Sequence, residues 1–265
     1  ASKTFAKDFM ARHQLPTAGS KTVHNAIDAH AEAATMGLPL VLKKDGLAAG
    51  KGVAIAQDAE TLDETIEKMY ADHPDATVLL EQYLAGEEAS VMALFNGEKR
   101  VILPLSQDHK RRFANDRGPN TGGMGAISPL PQFNDDQVTA AHQLVDATLK
   151  GMQADGLDGQ GVMYIGLIFT PDGPKILEYN MRFGDPETQV LLPQITNDFY
   201  QLISDLLANR QPSLTLSDKA YACFVAVNPA YPSSALKTVP VIVPTDWPEG
   251  TWLPAGVAKS DHGWE

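Results

Sequence analysis

Two hydrophobic rhythms alternate along this chain. In "SKTFAKDFMARHQLP" the helical spacing puts Phe5, Phe9 and Met10 on one side of a short helix, with Ser2 to cap it and Pro16 just beyond. Val23 to Met36 reads as a second helix, ended by Gly37 and Pro39. A third starts at Asp58 and carries Leu62, Ile66, Met69 and Tyr70 on one face. Asn134 caps a long fourth with Val138, Leu144, Val145, Leu149 and Met152, and Phe199 to Leu207 is a fifth. Between them lie β-branched and aliphatic runs. "PLVLKK" and "GVAIA" flank a glycine-rich stretch, and "TVLLEQYL", "EASVMALFNGEKRVILPLS" and "QGVMYIGLIFTPDGPKILEYN" follow, the last two broken by turns at Asn96-Gly97 and Pro171 to Gly173. From Ala220 the chain is strand-like at "YACFVAV" and "VPVIVP" and then rich in Pro, Gly and Trp. Helices, hairpin, helix, sheet, helix, sheet is the order of an α+β fold with two sheet-bearing lobes.

The chain's 265 residues suffice for a full core, as one large domain or two small ones. Its net charge of -12 opposes polyanions at long range, so general nucleic-acid binding is not expected. Cys223 is the single cysteine, which suits a reducing compartment, and no apolar run is long enough to cross a bilayer. A cytoplasmic protein without membrane contact is the expectation. Local basic clusters remain, at "LKK" with Lys51 and at "HKRR", and the second also describes a solvated face.

The hairpin loop "KKDGLAAGKGV" is too long for a tight turn. It is not the common phosphate loop, because three residues rather than four separate Gly46 from Gly50, and Gly52 stands where a Ser or Thr is needed after Lys51. Its backbone amides can still form an anion-binding concavity, with Lys43 toward an inner phosphate and Lys51 over the outer ones. Taken alone, the same residues also describe a solvated turn. In "ILEYNMRFGDPETQ", strand alternation puts Glu178 and Asn180 on one face, hard oxygen ligands that suit Mg2+, and continues to Arg182 as a fixed cation beside the ion. "EQYLAGEEAS" offers backbone groups of Glu81, Gln82, Tyr83 and Leu84 to a purine edge and Glu88 to a ribose, although Glu88 also reads as a solubilising turn acid.

In this order "KKDGLAAGKGV", "EQYLAGEEAS", "SQDHKR", "GPNTGGMGA" and "EYNMRFGDPETQ" resemble the ATP-grasp domain of the phosphoribosylamine-glycine ligase family, from about Ser2 to about Pro229. The loop and metal strand would fit many ATP-grasp enzymes, whereas the other motifs are narrower. The resemblance implies an ATP-grasp fold whose two α+β lobes grip ATP. It also implies a reaction joining glycine to 5-phosphoribosylamine through a glycyl phosphate, in purine biosynthesis. Lys43, Asp45, Gly46, Gly50, Lys51 and Gly52 would then hold phosphates, Glu81 to Leu84 the adenine, Glu88 the ribose, and Glu178 with Asn180 a Mg2+ or Mn2+ ion. Asp108, Lys110, Asn120, Thr121 and Asp185 would line the acceptor side, with Lys110 and Arg182 in catalysis and Arg182 facing the carboxylate and γ-phosphate.

The implied organisation is a first helix in residues 1-20 after a missing N-terminal domain, a small lobe over 21-90, a large lobe over 91-220 and the start of a truncated C-terminal domain over 221-265. The partners would be small molecules alone, and the chain a monomer. The strand "VMYIGLIFT" carries no further metal carboxylate, so water and phosphate oxygens would complete the shell. Two alternatives stay open: another ATP-dependent carboxylate-amine ligase, and an ATP-binding module that does not turn over.

Overall fold

A computed structural model describes residues 2-46, 52-97, 99-157, 159-233, 239-242, 250-260 and 263-264. Two compact units divide the chain, Ala1–Val225 and Ala226–Glu265. The first opens with α1 (Lys3–Arg12), whose first turn is capped where Ser2 accepts from the Phe5 amide. Phe9 and Met10 are buried as expected, but Phe5 is half-exposed and faces the cavity described below.

β1 (Ser20–Val23), α2 (Ala26–Met36), β2 (Leu40–Lys44), β3 (Val53–Ala56), α3 (Ala59–Tyr70) and β4 (Val78–Gln82) build one antiparallel sheet in the order β1-β4-β2-β3, backed by two helices. The second helix starts later than the periodicity suggested. Val23 is the last residue of a strand, and Asn25 caps α2 by accepting from the Asp28 amide. At α3, Asp58 and Thr61 close a reciprocal capping box, and Leu62, Ile66 and Tyr70 pack on Leu40, Leu42, Val78 and Leu80 of the sheet.

The larger sheet, β12-β11-β5-β6, joins β5 (Glu87–Asn96) and β6 (Lys99–Ile102) to β11 (Gln160–Thr170) and β12 (Gly173–Asn180). Four short strands intervene before the long helix: β7 (Gln107–Asp108), β8 (Arg111–Phe113), β9 (Arg117–Asn120) and β10 (Gly125–Ser128). The helix itself is α4 (Asp135–Ala154), capped by Asn134 with Gln137. Beyond β12 come α5 (Thr188–Leu191), α6 (Phe199–Leu207) and β13 (Tyr221–Phe224), and β13-β10-β7 forms a third sheet.

Both faces of the larger sheet are covered, which explains the near-continuous apolar run of β5. One face packs Val91, Ala93, Phe95 and Ile165 under α1 and α4; the other packs Met92, Leu94, Val190 and Leu206 with α5 and α6. Toward one end the second face changes character. Directly paired residues of neighbouring strands share a face, so Met92, Tyr164 and Asn180 form one row, and Ser90, Gly166 and Glu178 the next. Polar groups replace apolar ones there. In the second unit β14 (Lys259–Ser260) pairs antiparallel with β15 (Gly263–Trp264). Val239 to Ile242 lies outside every named strand, against the expectation for "VPVIVP", whose last two residues fall outside the described set.

Candidate active site

A cavity of about 890 Å3 opens in the first unit, walled by α1, the smaller sheet, the edge strand β12 and the segment that follows it. Its volume is that of a site for a nucleotide-sized ligand. Glu178 and Asn180 line it together, with Asn180 Nδ2 donating to Glu178 Oε1 at 3.3 Å, so the alternation read from the sequence brings the two side chains together. Gly166 lies opposite Glu178 on β11, where a Cβ would stand 3.1 Å from Glu178 Cγ; its absence leaves room for the carboxylate arm. The amide oxygen of Asn180 and the carboxylate of Glu178 form a two-ligand oxygen set of the kind that suits Mg2+. Among the described residues no group of three or more His, Cys, Asp or Glu is arranged to hold a metal ion. Arg182 also lines the cavity, but not by strand alternation: β12 ends at Asn180, and the guanidinium donates to the Phe183 carbonyl at 2.8 Å.

Beside that strand three charges meet. Lys43 of β2 lies 2.8 Å from Glu81 Oε2 of β4, and Lys7 of α1 lies 3.3 Å from Glu81 Oε1. Lys7 also donates to Thr17 Oγ1 at 2.7 Å and to the Ala18 carbonyl at 3.0 Å. Burial pulls Lys7 below the usual lysine range, against the opposing charge of Glu81. Lys43 in turn donates to the Leu177 carbonyl at 3.2 Å. A shift in the β11-β12 register leaves Leu177 without a partner on β11, and that frees its carbonyl for Lys43.

The start of the glycine-rich loop is tied to α1. Lys3 Nζ donates to the carbonyls of Lys44 and Gly46 at 2.7 and 3.0 Å. Asp45 accepts from the Lys3 amide and the Ser2 and Thr4 hydroxyls, which makes it a tether of the helix start. Asp45 is absent from the cavity wall, unlike Gly46 and Gly52. Gly46 has φ +87°, which only glycine adopts without strain. Gly50 and Lys51 lie outside the described residues.

The acceptor-side motifs converge on a third cluster. Lys110 Nζ is 3.0 Å from Glu88 Oε2 and 3.5 Å from Asp108 Oδ1, and Lys110, Asp108 and Thr121 all line the cavity. Burial disfavours the charge on Lys110, but Asp108 and Glu88 outweigh it and hold the ammonium well above its ordinary pKa. Asp185 lines the same wall and accepts from Gln189 at 2.6 Å. Asn120, by contrast, is exposed in the β8-β9 hairpin opposite Arg111. Arg111 belongs to that hairpin too, so of "HKRR" only Lys110 reaches the cavity wall.

Gln82, Tyr83 and Leu84 are likewise absent from the cavity wall, and the Gln82 amide is already spent on the Gly19 carbonyl at 2.9 Å. Lys3, Lys7, Tyr164 and Glu187 are among the lining residues that no motif in the sequence marks. The two lysines stand one helical turn apart on α1, a spacing visible in the sequence that also fits a solvated helix face. Glu187 sits inside the quoted "RFGDPETQ", though nothing local marks it as buried.

Two sheet-bearing lobes that bring lysines and an oxygen pair to one cavity define an ATP-grasp fold. The family model for the phosphoribosylglycinamide synthetase ATP-grasp (A) domain matches residues 1–188, and the chain belongs to that family. It is 44% identical over 251 residues to a phosphoribosylamine-glycine ligase of Streptococcus pyogenes serotype M18, covering 92% of this chain and 60% of that protein. A ligase of the same name from Listeria monocytogenes serovar 1/2a is 46% identical over 219 residues, covering 80% of this chain and 52% of that one. The crystal structure of a phosphoribosylamine-glycine ligase from Thermotoga maritima superposes with a TM-score of 0.90 at 32% identity, covering 99% of this chain and 67% of that one. The chain thus spans about three fifths of the length of the first relatives it matches. No helix among the described residues is long and apolar enough to cross a membrane.

Proposed function

We propose that the chain is the ATP-binding and carboxylate-activating part of a phosphoribosylamine-glycine ligase. Glycine's carboxylate and the γ-phosphate of ATP are both anions, so bringing them into line sets negative charge against negative charge. In this reading Lys3 and Lys43 offer cations to the phosphates, and Arg182 faces the carboxylate. Gly46 and Gly52 leave backbone free to approach the phosphates, whereas the Glu81 to Leu84 segment, expected at the adenine edge, meets this cavity through Glu81 alone. Glu178 and Asn180 would hold a Mg2+ or Mn2+ ion, which neutralises phosphate charge when bound. Glu88 was expected at the ribose; its ion pair with Lys110 favours the acceptor side instead. Transfer of the γ-phosphoryl group to glycine yields a glycyl phosphate, whose carbonyl the amine of 5-phosphoribosylamine attacks.

The observation that supports this most is the gathering of Lys43, Glu178 and Asn180 in the lining of one cavity, in a chain of this family. The test is ADP release with glycine and 5-phosphoribosylamine, beside a Glu178→Ala control. Glycine-dependent ADP that falls by about a hundredfold or more in the control supports the reading. Nucleotide binding with no glycine-dependent ADP would favour a binding module.

A further inference from the structure

Glu187 is a buried carboxylate at the cavity wall, 3% exposed, at the start of α5. Its setting is built by several elements. Tyr164 of β11 hydrogen-bonds to it, and Ser90 Oγ of β5 donates to the Tyr164 hydroxyl at 2.7 Å, which leaves the tyrosine's own proton for the carboxylate. Gly184 makes the space: a Cβ there would stand 2.7 Å from Glu187 Oε2 and 2.6 Å from Met92 Cε. Lys110, the cation that acts on Glu187, is itself ion-paired with Glu88 and Asp108. Burial, and after it the negative charge of Asp108, raises the carboxyl above its ordinary pKa, against the Tyr164 hydrogen bond and Lys110. Lys110, held protonated, can give an electrostatic anchor but cannot accept a proton.

Resting on the ligase reading, we infer that Glu187 is the proton acceptor for the attacking amine, with Tyr164 as the residue that positions it. As the amine nitrogen forms its bond to the acyl carbon, the carbon-oxygen bond to phosphate breaks and its electron pair leaves with the phosphate. One amine proton passes to the Glu187 carboxylate, which returns it to solvent when product departs. A buried carboxylate whose proton affinity is lifted above the ordinary range is better matched to this task than an ordinary surface acid. The same wall also carries Asp108, Asp185 and Thr121. Of these, Asp108 sits in the Lys110 ion pair and Asp185 accepts from Gln189.

Hydroxylamine separates the two halves of the reaction, because it traps an acyl phosphate as a hydroxamate without needing a base. In Glu187→Gln, amide formation with 5-phosphoribosylamine falls by about a hundredfold to ten-thousandfold. ATP-dependent glycine hydroxamate formation stays close to that of the unaltered chain. If Glu187→Gln does not fold, Tyr164→Phe decides, with a selective loss of about tenfold in amide formation alone. Equal loss of amide and hydroxamate, or no loss of either, overturns the role of Glu187 while leaving the ligase reading intact. If the unaltered chain forms no hydroxamate, the ligase reading falls, and this role with it.

Discussion

Replacing Glu81 by glutamine should harm this protein more than removing either lysine bound to it. Lys7, Lys43 and Glu81 form a buried set of two cations and one anion, with side chains 8%, 11% and 3% exposed. Glu81→Gln leaves two ammonium groups facing each other across a neutral amide. Stripping one partner from a buried pair typically costs about 3–5 kcal/mol, because the remaining charge has no counterion. Lys7→Met has the opposite effect on the balance. It leaves a one-to-one pair of Glu81 with Lys43 and loses the bonds to Thr17 and Ala18, but strands no charge without a counterion. Glu81→Gln should therefore be the less stable of the two, and Lys7→Met combined with Glu81→Gln should be milder than the sum of the two. Urea unfolding followed by far-UV circular dichroism measures this. Fluorescence would not serve, because Trp247, Trp252 and Trp264 all lie beyond Val225. If Lys7→Met proves as damaging as Glu81→Gln, the charge-balance argument is wrong.

Further outcomes follow from single sites. Asp45 is held below its ordinary pKa of 3.8: burial raises it, but the Lys3 amide and the Ser2 and Thr4 hydroxyls together outweigh burial. A depressed folded value contributes stability above the unfolded pKa that is lost as pH falls through the folded one. Asp45→Asn should therefore flatten the acid limb of stability below about pH 4 in a pH series of thermal melts, with the largest deficit above it. A Cβ at Gly86 would lie 2.3 Å from the Phe169 carbonyl oxygen, a backbone atom that cannot turn aside, so Gly86→Ala should cost about 1–3 kcal/mol in the same melts. Glu178→Gln should weaken nucleotide binding about tenfold or more in the presence of Mg2+ and much less in EDTA, as read by calorimetry.

Much of the fold was legible where one period ran long enough. The capped helices at Asp58 and Asn134 and the long runs of β5 and β11 announced themselves, since a covered sheet demands continuous apolar residues. The strands β7 to β10 did not: they have two to four residues each, in a polar stretch without alternation. At Val23 apolar spacing alone cannot tell a strand end from a helix start, although Asn25 carries the signal as the cap of α2. At the site, Glu178 and Asn180 could be paired because they belong to one strand. Arg182 could be placed near them but not oriented, because the strand stops two residues earlier. The union of Lys7 with Glu81, and of Tyr164 with Glu187, joins residues far apart in the chain, and no local pattern encodes it.

In the proposed function one cavity takes the triphosphate at Lys43 and the ion at Glu178 and Asn180. A crystal structure with a non-hydrolysable ATP analogue and Mg2+ tests it most directly. Phosphate oxygens should lie within hydrogen-bonding reach of Lys43 Nζ, with the ion bound to Glu178 and Asn180. A nucleotide seated elsewhere, or an ion held without either residue, would contradict it.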